Sequence, residues 1–344
     1  MSSVVKLTKI DKSLALLHSL GLHHIARPFL SNFLTVLNYH RVDYPFQKSF
    51  QTFRPNISAT PEDFERQMEY VSNHYDVISG QDLLAYLSGN RKLPKYPAII
   101  TFDDGYRDNY LNAYPILSKR NLPAIIFLTA EFIGTSKPFY WDLISYCFNA
   151  TQRQVVDLPQ LGSQDISNDE IRTHVMQELI DFLKKIPEVE KNEITGKIPV
   201  LLDVDVSPNA FDDIMMTWPE ALEMSKNGIE IGGHTATHPI LTRISLDEVS
   251  HELTSSKNKI ESKIGKSIYS FAYPNGQLAD FSDDIKQQVK NAGFEMAFSL
   301  LPGPIHENHV RENPFSIERI FIGYKDTFPR FVAKLTGLSK INFS

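Results

Sequence analysis

Seven short apolar runs, most of them followed by a helical stretch, constrain this chain more than any other feature. They are Phe33–Tyr39, Pro97–Phe102, Ala124–Leu128, Ile229–Ile231, Tyr269–Pro274, Phe294–Leu300 and Arg319–Ile322. Runs this short have strand length, and continuous apolarity suits strands covered on both faces. Helical signals lie between them. Thr60-Pro61-Glu62-Asp63 combines a capping Thr, a proline at the first helical position and acids in the first turn. Ser245-Leu246-Asp247-Glu248 is a capping box, with Val249, Leu253, Ile260 and Ile264 on one helical face. Further helices are expected near Tyr106–Lys119 and over Asp283–Asn291. This β-then-α rhythm predicts an α/β fold, a parallel sheet or barrel with helices outside.

The stretch from about Trp141 to Met216 breaks the rhythm. It reads as polar and helical, with a capping box at Ser167–Glu170 and a stripe of Ile171, Val175, Leu179 and Phe182 that Pro187 ends. It is expected to be an insertion, either a lid or a small helical subdomain. The expected organisation is an N-terminal helical segment over 1–32, a barrel over 33–325 carrying the insertion at 141–216, and a C-terminal helix and tail over 326–344. Leu14–Leu30 reads as a short helix with an apolar side, expected to pack on the domain, with docking on a membrane surface as the sharper alternative. Lys6, Lys9 and Lys12 before Leu14–Leu17 faintly resemble a secretion leader, but His18, Ser19, Gly21, His23 and His24 interrupt the apolar run. No run has the length of a membrane span. A cytoplasmic location is expected, with peripheral membrane contact through the N-terminal helix as an option and secretion left open.

Composition narrows the function classes. With 35 Lys+Arg against 41 Asp+Glu the net charge is −6, and no block of basic residues argues for nucleic-acid binding. The single cysteine, Cys147, excludes an internal disulfide and a cysteine-based zinc site.

The informative polar residues sit where apolar runs end. Asp103 and Asp104 follow Pro97–Phe102 and precede Gly105; two adjacent carboxylates there repel each other and resist burial. A metal resolves that conflict if one carboxylate ligates it and the other serves as a base; a plain solvated Asp-Gly turn is the alternative. His234 and His238 follow Ile229–Ile231 through two glycines, and at i, i+4 they can face one metal if the chain turns. Pro239 disfavours helical geometry there, and no Glu completes a zinc-protease pattern. Together these residues make a two-His-one-carboxylate set with a spare carboxylate beside it. Tyr273-Pro274-Asn275-Gly276 ends a third run, and a backbone N–H of such a turn can stabilise an oxyanion. His40 ends the first run; a histidine there suits general-acid work at neutral pH, with a solvated or core-satisfied histidine as the plainer alternative.

Thr101-Phe102-Asp103-Asp104-Gly105-Tyr106, His234-Thr235-Ala236-Thr237-His238-Pro239 and Phe271-Ala272-Tyr273-Pro274-Asn275-Gly276 resemble the ordered motifs of NodB-type polysaccharide deacetylases, the metal-dependent carbohydrate esterases of family four. The resemblance runs from about Leu37 to Ile322. It implies a distorted (β/α) barrel with its site at the carboxyl ends of the strands. It implies Asp103 as general base, Asp104, His234 and His238 as ligands of one divalent metal, usually Zn2+, and the backbone N–H near Asn275 as an oxyanion donor. His40 matches a Tyr-His motif of the branch that includes poly-N-acetylglucosamine deacetylases, where an N-terminal His is the general acid. His306 and His309 are the late histidines that stand next in line. Ala272 stands where many members carry Arg, and Asn275 where many carry Tyr; Arg319 is the expected substitute, with Tyr273 as a further supporting residue. Trp141-Asp142 and Met216–Glu220 look like segments of one bacterial subgroup. The Trp rings are expected in the core, with sugar stacking as the alternative.

The function expected is removal of N-acetyl groups from a sugar of a polysaccharide or glycoconjugate. The alternatives are O-acetyl ester cleavage, hydrolysis of another C–N bond such as a cyclic imide, and a decayed carbohydrate-binding barrel.

Overall fold

The computed structural model describes residues 8–21, 27–47 and 50–337. Seven parallel strands close into a barrel: β1 (Phe33–Tyr39), β2 (Pro97–Phe102), β3 (Ala124–Leu128), β4 (Ile229–Gly233), β5 (Ser270–Ala272), β6 (Met296–Pro302) and β7 (Ile317–Phe321). The sheet runs β1-β7-β6-β5-β4-β3-β2, and the pairing of Thr35–Tyr39 with Ala98–Phe102 brings β2 back to β1. Leu37 opposite Ile320 makes the first and last strands neighbours. Period-two alternation decides what fills the interior. Leu34 and Val36, Ile99, Ile125 and Phe127, Phe298 and Ile317 form one buried apolar cluster with Leu83 and Tyr86 of the Gly80–Leu87 helix. The opposite parity, with Leu37, Ile100, Phe102, Ile126 and Leu128, packs under the outer helices. Extending the inward parity toward the carboxyl ends reaches Asn38, Thr101, Asp103 and Arg319. The polar site therefore lies directly on an apolar plug.

Several elements differ from the expectation. The helix expected near Tyr106–Lys119 starts at Arg107 but passes through a π-turn over Asn109–Ala113 before the α-helix Tyr114–Lys119. Pro115 lacks the N–H that an unbroken α ladder would need there. Asn168, not Ser167, caps the Asp169–Leu183 helix, its Oδ1 accepting from the Glu170 and Ile171 N–H groups, so no capping box forms. The face that helix buries is Val175, Met176, Leu179, Ile180 and Leu183, and Ile171 is exposed. A hairpin, Val155–Leu158 with Gly162–Asp165, joins the helices of the insertion. Pro187 precedes the Glu188–Leu201 helix instead of ending the one before it. Helix α1 spans Lys9–Ser19 rather than Leu14–Leu30, capped by Thr8 with Asp11; residues 22–26 of the expected helix lie outside the described ones. It packs on the C-terminal helix Phe328–Leu335, where Arg330 meets the buried Asp11 at 2.8 Å. Among the described residues no helix is long and apolar enough to cross a membrane.

Candidate active site

Asp103, Asp104, His40, His234, His238, Tyr273 and Asn275 line one cavity of about 270 Å3 at the carboxyl ends of the strands. Backbone strain gathers here. Asp104, Thr235, His238 and Asn275 all have positive φ, between 60° and 75°. Non-glycine residues hold that conformation only when surrounding structure enforces it, and such positions cluster at functional sites. Gly105 has φ 88°, and a Cβ there would fall 2.5 Å from Ile133 Cδ1, so the turn that aims Asp104 requires glycine.

Asp104 Oδ1 lies 3.5 Å from Nε2 of His234 and 3.5 Å from Nε2 of His238. One donor atom from each of the three residues falls within 4.8 Å of the others. Both Asp104 oxygens are buried without a hydrogen-bond partner. An orphaned buried carboxylate is costly. A divalent cation at this point satisfies it, so the donor set fits a metal ion. Burial alone would raise the Asp104 pKa, but the nearby His234, His40 and His238 imidazoles hold it below its usual value. Burial and the adjacent His234 push His238 down to about 3, so it stays neutral, as a ligand must be. The other nitrogen of His234, Nδ1, meets the Ala272 carbonyl at 2.7 Å, which fixes the ring. The loop between the histidines is held from below by Glu252, whose carboxylate accepts from the Ala236 and Thr237 N–H groups and the Thr237 hydroxyl.

Asp103 is held differently. Arg319 donates to both its oxygens, at 2.7 and 2.8 Å, and the Asn38 amide donates to Oδ2 at 2.9 Å. Arg319 sits within β7, two residues after the strand begins, and also donates to the Ser299 carbonyl and Thr101 Oγ1. Burial would raise the Asp103 pKa; the Arg319 guanidinium, together with the His234 and His40 imidazoles, outweighs it and keeps the carboxyl far below the usual range. Oδ2 has two donors and Oδ1 one, so Oδ1 keeps acceptor capacity.

His40 is placed by its backbone: its N–H donates to Ser58 Oγ and its carbonyl accepts from Asn109. Its Nδ1 is buried without a partner and its ring meets Phe321 edge-on at 5.7 Å. Burial lowers its pKa against the opposing pull of Asp104 and Asp103. His306 pairs with Phe33 at the amino end of β1, and neither it nor His309 lines the cavity. Tyr273 stacks on Phe281 and its hydroxyl donates to the Phe315 carbonyl. Asn275 donates to Asp280, which also accepts the Gln277 N–H. Trp141 is buried beside His238, whereas Trp218 starts the Trp218–Lys226 helix and does not line the cavity.

The family model for polysaccharide deacetylases matches residues 90–297, which include Asp103, Asp104, His234, His238 and Asn275. The chain belongs to the polysaccharide deacetylase family. It is 24% identical to the poly-β-1,6-N-acetyl-D-glucosamine N-deacetylase of Staphylococcus aureus (strain MRSA252), over 92% of this chain and 90% of that protein. It is 36% identical to YxkH of Bacillus subtilis (strain 168), a candidate polysaccharide deacetylase, over 80 residues that make up 23% of this chain and 29% of that protein. Two solved structures share the deacetylase barrel. The Streptococcus pyogenes deacetylase PplD, in complex with acetate, superposes with a TM-score of 0.58 at 17% identity, over 88% of this chain and 98% of that one. IcaB from Ammonifex degensii gives 0.56 at 17%, over 89% and 97%.

Sequence reasoning missed Asn38, which holds Asp103, and Glu252, which holds the loop between the histidines. Both left a signal. Asn38 is a polar residue inside an apolar strand, and Glu252 is an acid on the apolar face of the Leu246–Ile264 helix, three residues after Val249.

Proposed function

We propose that this polysaccharide deacetylase uses a divalent metal, zinc by its donor set, to remove N-acetyl groups from N-acetylhexosamine residues of a glycan. The observation that carries the reading is the buried, unpartnered Asp104 carboxylate facing two imidazoles beside a second, separately held carboxylate. Two imidazoles and one carboxylate suit zinc. When bound, the cation supplies Lewis acidity toward an acyl carbonyl oxygen and toward water.

The chain's own groups do the rest. Asp103 Oδ1 takes the proton of the attacking water, while Arg319 and Asn38 keep the carboxylate ionised and aimed. The Asn275 N–H donates to the oxygen on which negative charge develops. His40 gives its proton to the departing amine nitrogen; burial lowers its pKa, which makes the imidazolium a stronger donor but a less populated one. Tyr140 and Phe321 offer the apolar walls that sugar faces stack on. The name of the Staphylococcus aureus relative makes β-1,6-linked N-acetylglucosamine oligomers the first substrate to try.

Acetate release from that oligomer is expected to stop on chelation and return with added zinc. His234→Ala should lose metal content and activity together; metal content unchanged in both that variant and His238→Ala overturns the ligand set. His40→Ala should slow amide cleavage far more than cleavage of an activated acetyl ester, because an amine leaves poorly without a proton and a stabilised alkoxide does not. Equal losses on the two substrates move the general acid elsewhere.

A further inference from the structure

We infer that Trp141, in the first turn of the insertion, is a positioning residue for His238, so that metal affinity and the seating of the insertion depend on each other; this rests on the metal reading above. His234 and His238 are braced in different ways. A carbonyl fixes the His234 ring. No carbonyl of another residue braces the His238 ring among the described residues. Rings box it instead: Trp141 at 5.0 Å and 77°, Phe139 at 5.4 Å and 72°, and His234 at 4.8 Å and 70°. Trp141 belongs to the start of the insertion, and Phe139 lies two residues before it.

Trp141 is itself locked. It stacks on Phe139 at 4.6 Å, and its indole N–H donates to the Tyr106 hydroxyl at 2.8 Å. That hydroxyl donates to Asp142 Oδ2 at 2.7 Å, and Asp142 Oδ1 accepts the Phe53 N–H at 3.0 Å. Arg41 lies over the Tyr106 ring at 4.5 Å and pairs with Asp108 at 2.7 Å. Trp141, Tyr106, Asp142 and Arg41 are all almost fully buried. Tyr106 follows the ligand Asp104 by two residues, and Phe53 lines the cavity. The network therefore ties together the turn that bears Asp104, the loop that bears His238, the Phe53 loop and the root of the insertion.

A ligand ring held only by a hydrogen bond to its own backbone and by van der Waals contact keeps its orientation only while its neighbours stay in place. Removing the indole frees rotation about the His238 side chain, and the cation must then restrict it. Linkage makes the effect reciprocal: metal bound to Asp104 and His238 holds the insertion root closed. The insertion would then be no detachable lid, and deleting it would weaken the metal site at its base.

The test measures zinc affinity of the whole protein by competition with a chromophoric chelator, and backbone hydrogen exchange over residues 139–201 with and without zinc. Trp141→Ala is expected to weaken zinc about 10–100-fold, the usual scale for losing a group that orients a ligand. Zinc should protect the insertion root in the unmodified protein and do so far less in the variant. Tyr106→Phe removes one hydroxyl and keeps the ring, so it should fold and still weaken zinc several-fold. Wild-type affinity in a folded Trp141→Ala protein overturns the inference, as does unchanged affinity in Tyr106→Phe if Trp141→Ala does not fold. Failure of the unmodified protein to bind zinc or any divalent ion overturns the metal reading instead.

Discussion

Asp103→Asn is expected to cut turnover by about 10²–10⁴-fold, the scale of general-base loss, while leaving metal content unchanged. The two halves follow from where the carboxylate is held. Its oxygens are engaged by Arg319 and Asn38 and stand outside the Asp104, His234 and His238 group, so metal retention does not need its charge. Turnover does, because an amide cannot accept the proton that Oδ1 is placed to take. The Asn oxygen can still accept from one guanidinium N–H, but the buried Arg319 loses its counter-charge, so the variant is also expected to be less stable and its folding is checked alongside turnover. The Arg319 pairing also sets the pH behaviour. With the Asp103 carboxyl held far below its usual range, the base stays ionised throughout the working range and gives no acidic limb above about pH 4. The measurements are metal stoichiometry, and acetate release from an N-acetylglucosamine oligomer as a function of pH. Substantial turnover in a metal-loaded Asp103→Asn protein moves the base to another group.

How much of this was legible in the sequence depended on how far apart the interacting residues lie. The strands Phe33–Tyr39, Pro97–Phe102 and Ala124–Leu128 and the helix Asp283–Asn291 were readable end to end, because apolar run length and caps are local properties. The site's polar residues were readable because strand ends, glycines and histidine spacing are local too. Pro115 was visible, but its effect on helix type depends on a hydrogen bond four residues back. The insertion's hairpin carries only two inward apolar residues, Val156 and Leu158, too few to stand out from a polar stretch. The Tyr106–Asp142 bond spans 36 residues and the Asn38–Asp103 bond 65, and only the closed barrel brings such partners together. Arg319 lies 216 residues from Asp103. It could be suggested as the substitute for the arginine missing at Ala272 only because it lies on a late strand whose end should approach the barrel mouth.

Arg319→Ala is expected to destabilise the protein by about 3–5 kcal/mol at pH 7, the cost of leaving one member of a buried ion pair alone. Arg319 and Asp103 are 1% and 2% exposed, so solvent screens neither charge. The deficit should shrink as the pH falls, and the sign can be worked out from the causes acting on Asp103. With Arg319 present, the folded pKa is depressed, so the pair contributes stability above the unfolded carboxylate value of about 3.9 and loses it as the pH falls toward the folded value. Without the guanidinium, the largest remaining influence is burial, which raises the pKa and favours the protonated folded form. The variant then loses stability as the pH rises through that higher value. The two stability curves therefore converge toward acid and diverge toward neutrality. Denaturant unfolding of the metal-free proteins at pH 7 and at about pH 4.5 separates this from simple loss of packing, because a cavity left by the missing side chain costs the same at both. A deficit independent of pH would mean that Arg319 serves the fold by its bulk, and that Asp103 owes its ionisation to Asn38 and the neighbouring imidazoles.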